Sequence, residues 1–250
     1  MGRVFVTGDT HGDLTKIINF IKRFDLQLGD RIFVLGDFGI FWRQDGRDSK
    51  YWIDLYEKEC NGVHLYWIEG NHDNFDIINS WKISGVSVYN NSEHIHYCPR
   101  GFITFVDVEC GSRIESRKVL FLGGADSVDK FRRTEHLSWW EDEKITEADI
   151  NNIKGSFYYV FTHCGPLSIV EKNKGWLYTI NNINDTNGIH DSEKALDKLK
   201  DKILFDHWWF AHYHVDMDLG EGFKCIFNDF IMLGDENSGQ EREDNNRTNV

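Results

Sequence analysis

The chain has 250 residues, 40% hydrophobic and 14% aromatic, which is enough to bury the core of one generous domain or two small ones. Its formal net charge of -13 argues against long nucleic acid as a partner, because that affinity depends on Lys and Arg neutralising phosphates. Five scattered cysteines without a C-x-x-C pair indicate a reducing compartment and not a disulfide framework.

Short apolar runs alternate with helix-like stretches, a pattern typical of an α/β protein. In chain order we predict strand 3–7, helix 13–24, strand 31–35, helix 48–58, strand 63–68, helix 73–80, strands 101–108 and 118–122, helix 146–154, strand 157–161, helix 191–200 and strands 207–211 and 223–230. Asp73 or Asn74 is predicted to cap the third helix, and Thr146 precedes an acidic first turn in the fourth.

We expect one domain over residues 1–233 and a disordered polar tail over 234–250, because the tail lacks apolar periodicity. The chain opens almost directly on a strand, which leaves no room for a signal peptide. No apolar run approaches the length of about 18 residues needed to span a membrane. The expectation is therefore a cytoplasmic protein without a membrane partner.

Five short polar clusters occur where predicted strands end. They are Gly8-Asp9-Thr10-His11-Gly12, Gly36-Asp37, Gly70-Asn71-His72-Asp73, Thr162-His163 and Ala211-His212-Tyr213-His214. Ligand sites in open α/β sheets lie outside the carboxyl ends of the strands, so we expect these clusters to meet. Alternate residues of a strand point the same way, which predicts that Asp9 converges with His11, and His212 with His214.

The clusters together offer donors that bind divalent metal ions. The seven candidate ligands are Asp9, His11, Asp37, Asn71, His163, His212 and His214. Seven donors are too many for one tetrahedral zinc ion but enough for two ions that share a carboxylate. Mixed imidazole and carboxylate ligation favours Mn²⁺, with Fe, Zn, Ni or Co as alternatives, and the absence of cysteine argues against a structural zinc site.

Each candidate taken alone also fits an ordinary structural role. Asp9 fits a helix cap, Asp37 a turn residue and Asn71 a left-handed turn position. His163 fits a hydrogen-bonded core histidine, and the pair His212–His214 fits ordinary strand alternation. The conjunction of five clusters at strand ends favours the metal site. We predict structural or surface roles for the other histidines, apart from His72: His64, His94, His96, His136, His190 and His207.

In this order the motifs resemble those of the calcineurin-like metallophosphoesterases, which read D-x-H, G-D, G-N-H-[DE], a lone His and G-H-x-H. The match extends from residue 8 to 214, with Ala211 in place of a glycine. The serine/threonine phosphatase branch continues G-D-x-x-D-R-G, whereas Asp37 is followed here by Phe38-Gly39-Ile40-Phe41-Trp42. The phosphate-clamping arginine of that branch and its carboxylate partner are missing. The resemblance is therefore not to the typical serine/threonine phosphatase branch, and a phosphoprotein substrate is less favoured.

The resemblance implies two mixed β-sheets packed face to face as a sandwich, with helices outside. It also implies a division of the ligands between two ions. One ion would take Asp9, His11 and His214, the other Asn71, His163 and His212, with Asp37 bridging.

The family's reaction implies hydrolysis of a phosphomonoester by a water or hydroxide that bridges two ions about 3.5–4 Å apart. His72 is then the general acid that protonates the leaving alkoxide, and Asp73 is predicted to orient or charge it. Proton transfer of this kind is worth roughly 10²–10⁴-fold in rate.

A second segment resembles bacterial and phage members of the family in particular. Residues 121–133 and Ser138-Trp139-Trp140 are similar to a G-G-A-x-S-x-D-K…R…S-W-W pattern. Arg132 or Arg133 is predicted to bind the substrate phosphate in place of the missing arginine. The alternative is a helix start with surface arginines and core tryptophans.

The expected substrate is a small phosphorylated molecule or a nucleotide, with a phosphoprotein as a less favoured alternative. A phosphodiesterase or nuclease acting on cyclic or short nucleotides is a second interpretation, because the same dinuclear core serves both reactions. A non-catalytic scaffold of the same fold is a third, against which the retained His72 and ligand set argue. Loops around 40–48, 84–100 and 165–190 are expected to surround the site. The sequence does not give the oligomeric state.

Overall fold

Strands and helices alternate along most of the chain, and the computed structural model describes residues 2–82, 89–177 and 191–234. The strands are β1 Val4–Thr7, β2 Arg31–Val34, β3 His64–Trp67, β4 Tyr89–Asn90, β5 Ile95–Tyr97, β6 Phe102–Cys110, β7 Arg113–Leu122, β8 Gly155–Thr162, β9 Ile203–Phe210, β10 Met217–Gly220, β11 Phe223–Cys225 and β12 Ile231–Met232. The α-helices are α1 Thr15–Arg23, α2 Arg47–Glu59, α3 Phe75–Lys82, α4 Glu147–Ile150, α5 Leu167–Lys172, α6 Lys174–Leu177 and α7 Asp191–Lys200, with 3-10 helices at Lys130–Arg132 and Glu141–Glu143.

The first sheet has the strand order β12-β1-β2-β3-β5-β4. The four central strands are parallel, and one antiparallel strand closes each edge. Parallel strands bring their carboxyl ends to one edge of a sheet. The polar residues that follow β1, β2 and β3 therefore lie side by side.

The second sheet has the order β10-β11-β9-β8-β7-β6 and is also mixed. The strands β11, β9, β8 and β7 are parallel, while β10 and β6 pair antiparallel at the edges. The residues that follow β8 and β9 consequently share the edge at which the second sheet meets the ligand-bearing loops of the first.

Three apolar clusters show how the layers stack. Phe33 and Leu35 face the second sheet, where they pack in one cluster with Phe121 and Phe161. The alternate residues of β2, Ile32 and Val34, face outward and pack against α1, α2 and α3. A third cluster joins the outer face of the second sheet to α4, α5 and α7. The predicted sandwich with helices outside is confirmed.

The helix boundaries agree with local sequence signals. Helix α1 buries Ile17, Ile18 and Ile21 on one face and carries Lys22 and Arg23 in its last turn, where cations favour the helix dipole.

The two capping predictions have different outcomes. Asn74 and not Asp73 caps α3, because its Oδ1 accepts hydrogen bonds from Asp76 N at 3.0 Å and Ile77 N at 3.2 Å. Thr146 and Asp149 form a capping box on α4, which ends at Ile150, earlier than expected.

All eight predicted strands are present, but their lengths differ from expectation. Strands β7 and β9 begin at Arg113 and Ile203, several residues before the predicted starts, and β11 ends at Cys225, well before residue 230. The sequence prediction missed β4, β5, β10 and β12, each of two to four residues, and the short helices α5 and α6. Segments this short carry too little periodicity to be recognised.

The predicted tail, 234–250, lies outside the described residues except for Gly234, and so does His190. None of the described helices has the length and apolarity required to cross a membrane.

Candidate metal centre

Four side chains from both sheets meet in what we term the first cluster: Asp9, His11, Asp37 and His214. Their ligand atoms all lie within 4.8 Å of one another. The His11 and His214 Nε2 atoms face each other at 2.9 Å, and His214 Nε2 lies 3.0 Å from Asp9 Oδ2.

The second cluster consists of Asp37, His163 and His212, again with ligand atoms within 4.8 Å of one another. His163 Nε2 lies 3.2 Å from Asp37 Oδ1 and 3.3 Å from Asn71 Oδ1. Asp37 belongs to both clusters. All seven predicted ligands are therefore brought together, although their role as ligands remains a prediction.

Two hydrogen bonds to residues outside the second cluster orient the polar atoms within it. The Nδ1–H of His163 donates to Leu35 O at 2.7 Å, which leaves Nε2 directed at the cluster. The Nδ2 group of Asn71 donates to Ser127 Oγ at 3.4 Å, so the amide presents Oδ1 to the same point. An imidazole nitrogen and an amide oxygen are thereby held as acceptors toward a cation.

Two glycines allow this close approach. A Cβ added to Gly70 would lie 2.1 Å from Asp37 Oδ1 and 2.6 Å from His163 Nε2. A Cβ at Gly36 would lie 2.2 Å from His163 Nδ1. No side chain fits at either position, which explains why glycine precedes both Asp37 and Asn71.

Four of the seven candidate ligands have left-handed backbone conformations: His11 (φ 47°), Asp37 (φ 45°), His212 (φ 67°) and His214 (φ 53°). Such conformations are uncommon outside glycine and concentrate at functional sites. The prediction that strand alternation makes these residues converge is wrong in its geometry. Strands β1 and β9 end at Thr7 and Phe210, and tight turns beyond them direct the side chains inward.

The structure also decides against three of the ordinary roles. Asp9 does not cap α1, since its Oδ1 accepts a hydrogen bond from His212 N at 3.3 Å, while Asp13 Oδ1 accepts one from Thr15 N. Asn71 is not among the residues with positive φ. His212 and His214 lie beyond the end of β9 and not within a strand.

The electrostatics of the clusters favour a bound positive charge. Burial alone would raise the pKa of Asp37, but the neighbouring His163 holds it well below its usual range. Burial lowers the pKa of His163, yet Asp37 and Asp9 together raise it to about 9. Burial, with His163 beside it, lowers the pKa of His212 to about 3. The pKa values of Asp9 and Asp37 are both lowered, so two buried carboxylates favour positive charge at this point.

The donor set fits divalent metal ions. Asp9 Oδ2 is buried at the point where the first cluster converges, 3.0 Å from His214 Nε2 and 3.6 Å from His11 Nε2. Two imidazole nitrogens at 2.9 Å and two buried carboxylates form the mixed nitrogen and oxygen environment that first-row divalent ions prefer.

His72 lies over the first cluster with its ring edge-to-face against His11, the centroids 5.3 Å apart. Its backbone N donates to Asp37 Oδ1 at 2.7 Å. Burial lowers the pKa of His72, Asp37 opposes that effect and Arg133 adds to it.

The structure distinguishes the two candidate arginines. Arg133 is nearly buried, and its Nη2 donates to His72 Nε2 at 2.9 Å while Nη1 donates to Asn71 O at 3.3 Å. Arg132 is exposed and stacks on Phe131. The backbone leaves the 3-10 helix at Arg133 in an extended conformation, so the two side chains diverge.

Asp73 serves a different purpose from the one predicted. Its Oδ1 accepts a hydrogen bond from Gly39 N at 2.7 Å, and its Oδ2 accepts bonds from Gly70 N at 2.8 Å and Phe38 N at 3.3 Å. No hydrogen bond links it to the His72 imidazole in the described part of the chain. Burial, followed by the charge of Asp37, raises the pKa of Asp73 to about 7. Asp73 thus ties together the loops that follow β2 and β3.

Sequence reasoning missed the support behind Asn71. Ser127 holds the Asn71 amide and itself donates from N at 2.6 Å and from Oγ at 2.9 Å to the fully buried Glu143. Glu143 also accepts a hydrogen bond from Trp139 Nε1 at 2.9 Å. These residues lie in the segment singled out by its resemblance to phage and bacterial members. Glu143 lies 16 residues from Ser127, so the sequence offered no local signal for these contacts.

The other histidines that the structure describes do not join the centre. His64 Nδ1 and His96 Nε2 lie 2.8 Å apart, and His94 Nδ1 contacts Glu57 Oε2 at 2.6 Å, in a separate network. His136 is exposed and contacts Asp76. His207, in β9, packs on Tyr159 of the neighbouring strand β8.

Of the comparisons with known proteins, the family model is the one that identifies this chain. The family model described as calcineurin-like phosphoesterase matches residues 2–216. No curated protein matches the chain significantly. A solved structure described as "GAP50 the anchor in the inner membrane complex of Plasmodium" is similar with 13% identity and a TM-score of 0.43 over 90% of this chain and 71% of that chain. A similarity at this level of identity and TM-score indicates nothing about the function of this chain.

Proposed function

Because the chain belongs to the calcineurin-like phosphoesterase family, we propose that it hydrolyses phosphomonoesters with the help of two divalent metal ions. The observation that carries the proposal is a pair of Asp/His clusters that share Asp37. Asp9, His11 and His214 would hold one ion, Asn71, His163 and His212 the other, and Asp37 both. The mixed donor set favours Mn²⁺. When bound, two such ions supply Lewis acidity toward phosphoryl oxygens and a water nucleophile near neutral pH.

His72 is the proposed proton donor to the leaving oxygen. An arginine can only donate, so its contact with His72 Nε2 means that Nε2 accepts and carries no proton in this state. A phosphoryl group that draws Arg133 to itself releases Nε2 to hold a proton and deliver it. Substrate binding would thus move Arg133 from His72 to the phosphoryl group and allow His72 Nε2 to carry the proton that it donates.

Arg133 is the proposed phosphate ligand, and Asp73 is a positioning residue. The guanidinium of Arg133 is anchored through its Nε to Asp129 Oδ1 at 2.7 Å, which leaves the outer nitrogens directed at the site. Arg133 can pair with phosphate oxygens in the fork geometry that suits guanidinium. Asp73 fixes the backbone at Phe38 and Gly39, next to Asp37.

The function is tested by turnover of para-nitrophenyl phosphate and bis-para-nitrophenyl phosphate with metal-stripped protein reloaded with Mn²⁺. We expect faster turnover of the monoester. Preference for the diester would make the protein a phosphodiesterase. Failure on both substrates with two ions bound would contradict the catalytic proposal and favour a scaffold.

Replacing Arg133 with alanine should lower kcat/KM for the monoester by about 10–100-fold, the usual range for a lost charge-assisted hydrogen bond. Arg132→Ala is the matched control, because it removes the same charge one residue away at an exposed position. It should change kcat/KM less than about twofold. Equal losses in both variants, or none in either, would show that Arg133 does not bind substrate.

A further inference from the structure

The face of the first sheet that looks toward the second sheet changes character along its strands. Near the metal centre this face is apolar, with Leu35, Ile68 and Cys98. Two residues earlier in β2, β3 and β5, the same face carries Phe33, Tyr66 and His96, which lie opposite one another in the strand register. Two residues earlier again, this face carries Arg31 and His64. Polar and charged groups rarely occupy the inner face of a sandwich, so this end calls for an explanation.

The two sheets line a half-open cavity at that polar end. Its volume is about 270 Å³. The first sheet lines it with Arg31, Phe33, Tyr66, His96 and Cys98, and edge strand β6 with β7 supplies Phe102, Thr104, Phe105, Val106 and Phe121. The cavity therefore has aromatic walls from both sheets and is distinct from the candidate metal centre.

Arg31 is the source of positive charge in this cavity. Burial, with His64 and His94 nearby, lowers the pKa of His96 to about 4, so His96 is neutral near pH 7. No Asp or Glu lies among the lining residues. Within the described part of the chain the Arg31 guanidinium forms no hydrogen bond or ion pair. A half-buried guanidinium without an anion leaves strong donors unused.

Tyr66 adds a neutral donor beside Arg31. Burial raises the pKa of the Tyr66 phenol, which therefore keeps its proton at physiological pH. No described residue accepts a hydrogen bond from its hydroxyl.

We propose that the cavity between the sheets binds a small aromatic monocarboxylate. The carboxylate pairs with Arg31 in the planar fork that suits both groups and accepts a hydrogen bond from Tyr66. The ring packs among Phe33, Phe102 and Phe121. A single cation balances one negative charge, whereas a phosphate monoester carries nearly two. The volume admits a one-ring ligand and lies below the range of drug-sized pockets, about 300–1,000 Å³.

The test uses benzoate as the probe and isothermal titration calorimetry on the metal-loaded full chain. We expect benzoate to bind with a 1:1 stoichiometry and benzamide, its neutral counterpart, to bind at least about 10-fold more weakly. Arg31→Gln should weaken benzoate binding by about 10-fold or more. Arg113→Gln is the matched control, because Arg113 is an exposed arginine of β7, and it should leave binding unchanged.

Two further arms separate this cavity from the metal centre and from unfolding. Saturating inorganic phosphate, a ligand of the expected phosphoesterase site, should leave benzoate binding unchanged. Thr104→Met, which extends a flexible side chain into the cavity, should abolish binding while thermal unfolding stays cooperative. Absence of benzoate binding, equal binding by Arg31→Gln, or displacement by phosphate would each overturn the proposal. None of these outcomes depends on catalytic turnover.

Discussion

Asp37→Asn is expected to reduce the bound metal from two ions to one or none and to lower monoester turnover by more than about 100-fold. Asp37 is the residue that both clusters share, and His163 and the His72 amide also contact its Oδ1. Removal of even an indirect partner of a metal ligand costs about 10–100-fold, so loss of a shared ligand should exceed that range. Elemental analysis of the dialysed protein, together with para-nitrophenyl phosphate turnover, measures both effects.

Asp107→Asn is the matched control for Asp37→Asn. Asp107 is an exposed carboxylate on β6 with no hydrogen bond or ion pair to the described residues, so neutralising it should leave metal content and turnover unchanged. Two ions per chain in Asp37→Asn, at unchanged occupancy, would contradict the bridging assignment even if activity fell.

His72→Ala is expected to leave two ions bound and to lower turnover by roughly 10²–10⁴-fold for substrates with poor leaving groups. The loss should be much smaller for para-nitrophenyl phosphate, whose leaving group needs little protonation. The measurement is turnover of a series of aryl and alkyl phosphates whose leaving groups differ in pKa. Turnover should fall more steeply with increasing leaving-group pKa in the variant than in the wild type.

His136→Ala serves as the control for His72→Ala, since the His136 side chain is exposed and contacts Asp76, which is not a candidate ligand. It should reproduce the wild-type dependence on leaving group. If His72→Ala lost the same factor with every substrate, His72 would be acting through position or binding and not as the acid.

The sequence was sufficient to predict the convergence of the candidate ligands, and the reason is topological. Asp9, Asp37 and Asn71 each follow a parallel strand of one sheet, and His163 and His212 follow strands of the other. Residues that follow parallel strands lie at the same edge of the sheet, and the turns then decide where their side chains point. The turns themselves were not predictable, because the modest enrichment of histidine in left-handed conformations does not say that His11 and His214 adopt them here.

Contacts between distant segments explain the remaining failures. Ser127 is 56 residues from Asn71 and 16 from Glu143, so no local pattern announces that they touch. Arg132 and Arg133 are adjacent and chemically identical, so their order in the sequence does not say that Arg133 is the one that reaches His72. Asp73 was assigned from its neighbour in the sequence, whereas its carboxylate reaches the amides of Phe38 and Gly39.

The candidate centre draws its side chains from both sheets, and this has a thermodynamic consequence. On the proposed assignment the ions act as cross-links between two layers that otherwise hold together through apolar packing. A ligand that binds only the folded state stabilises it by about 2.7 kcal/mol when its free concentration is 100 times its Kd. The thermal stability of this protein would then increase with the concentration of free metal ion. Chelation of the metal would weaken the contact between the two sheets.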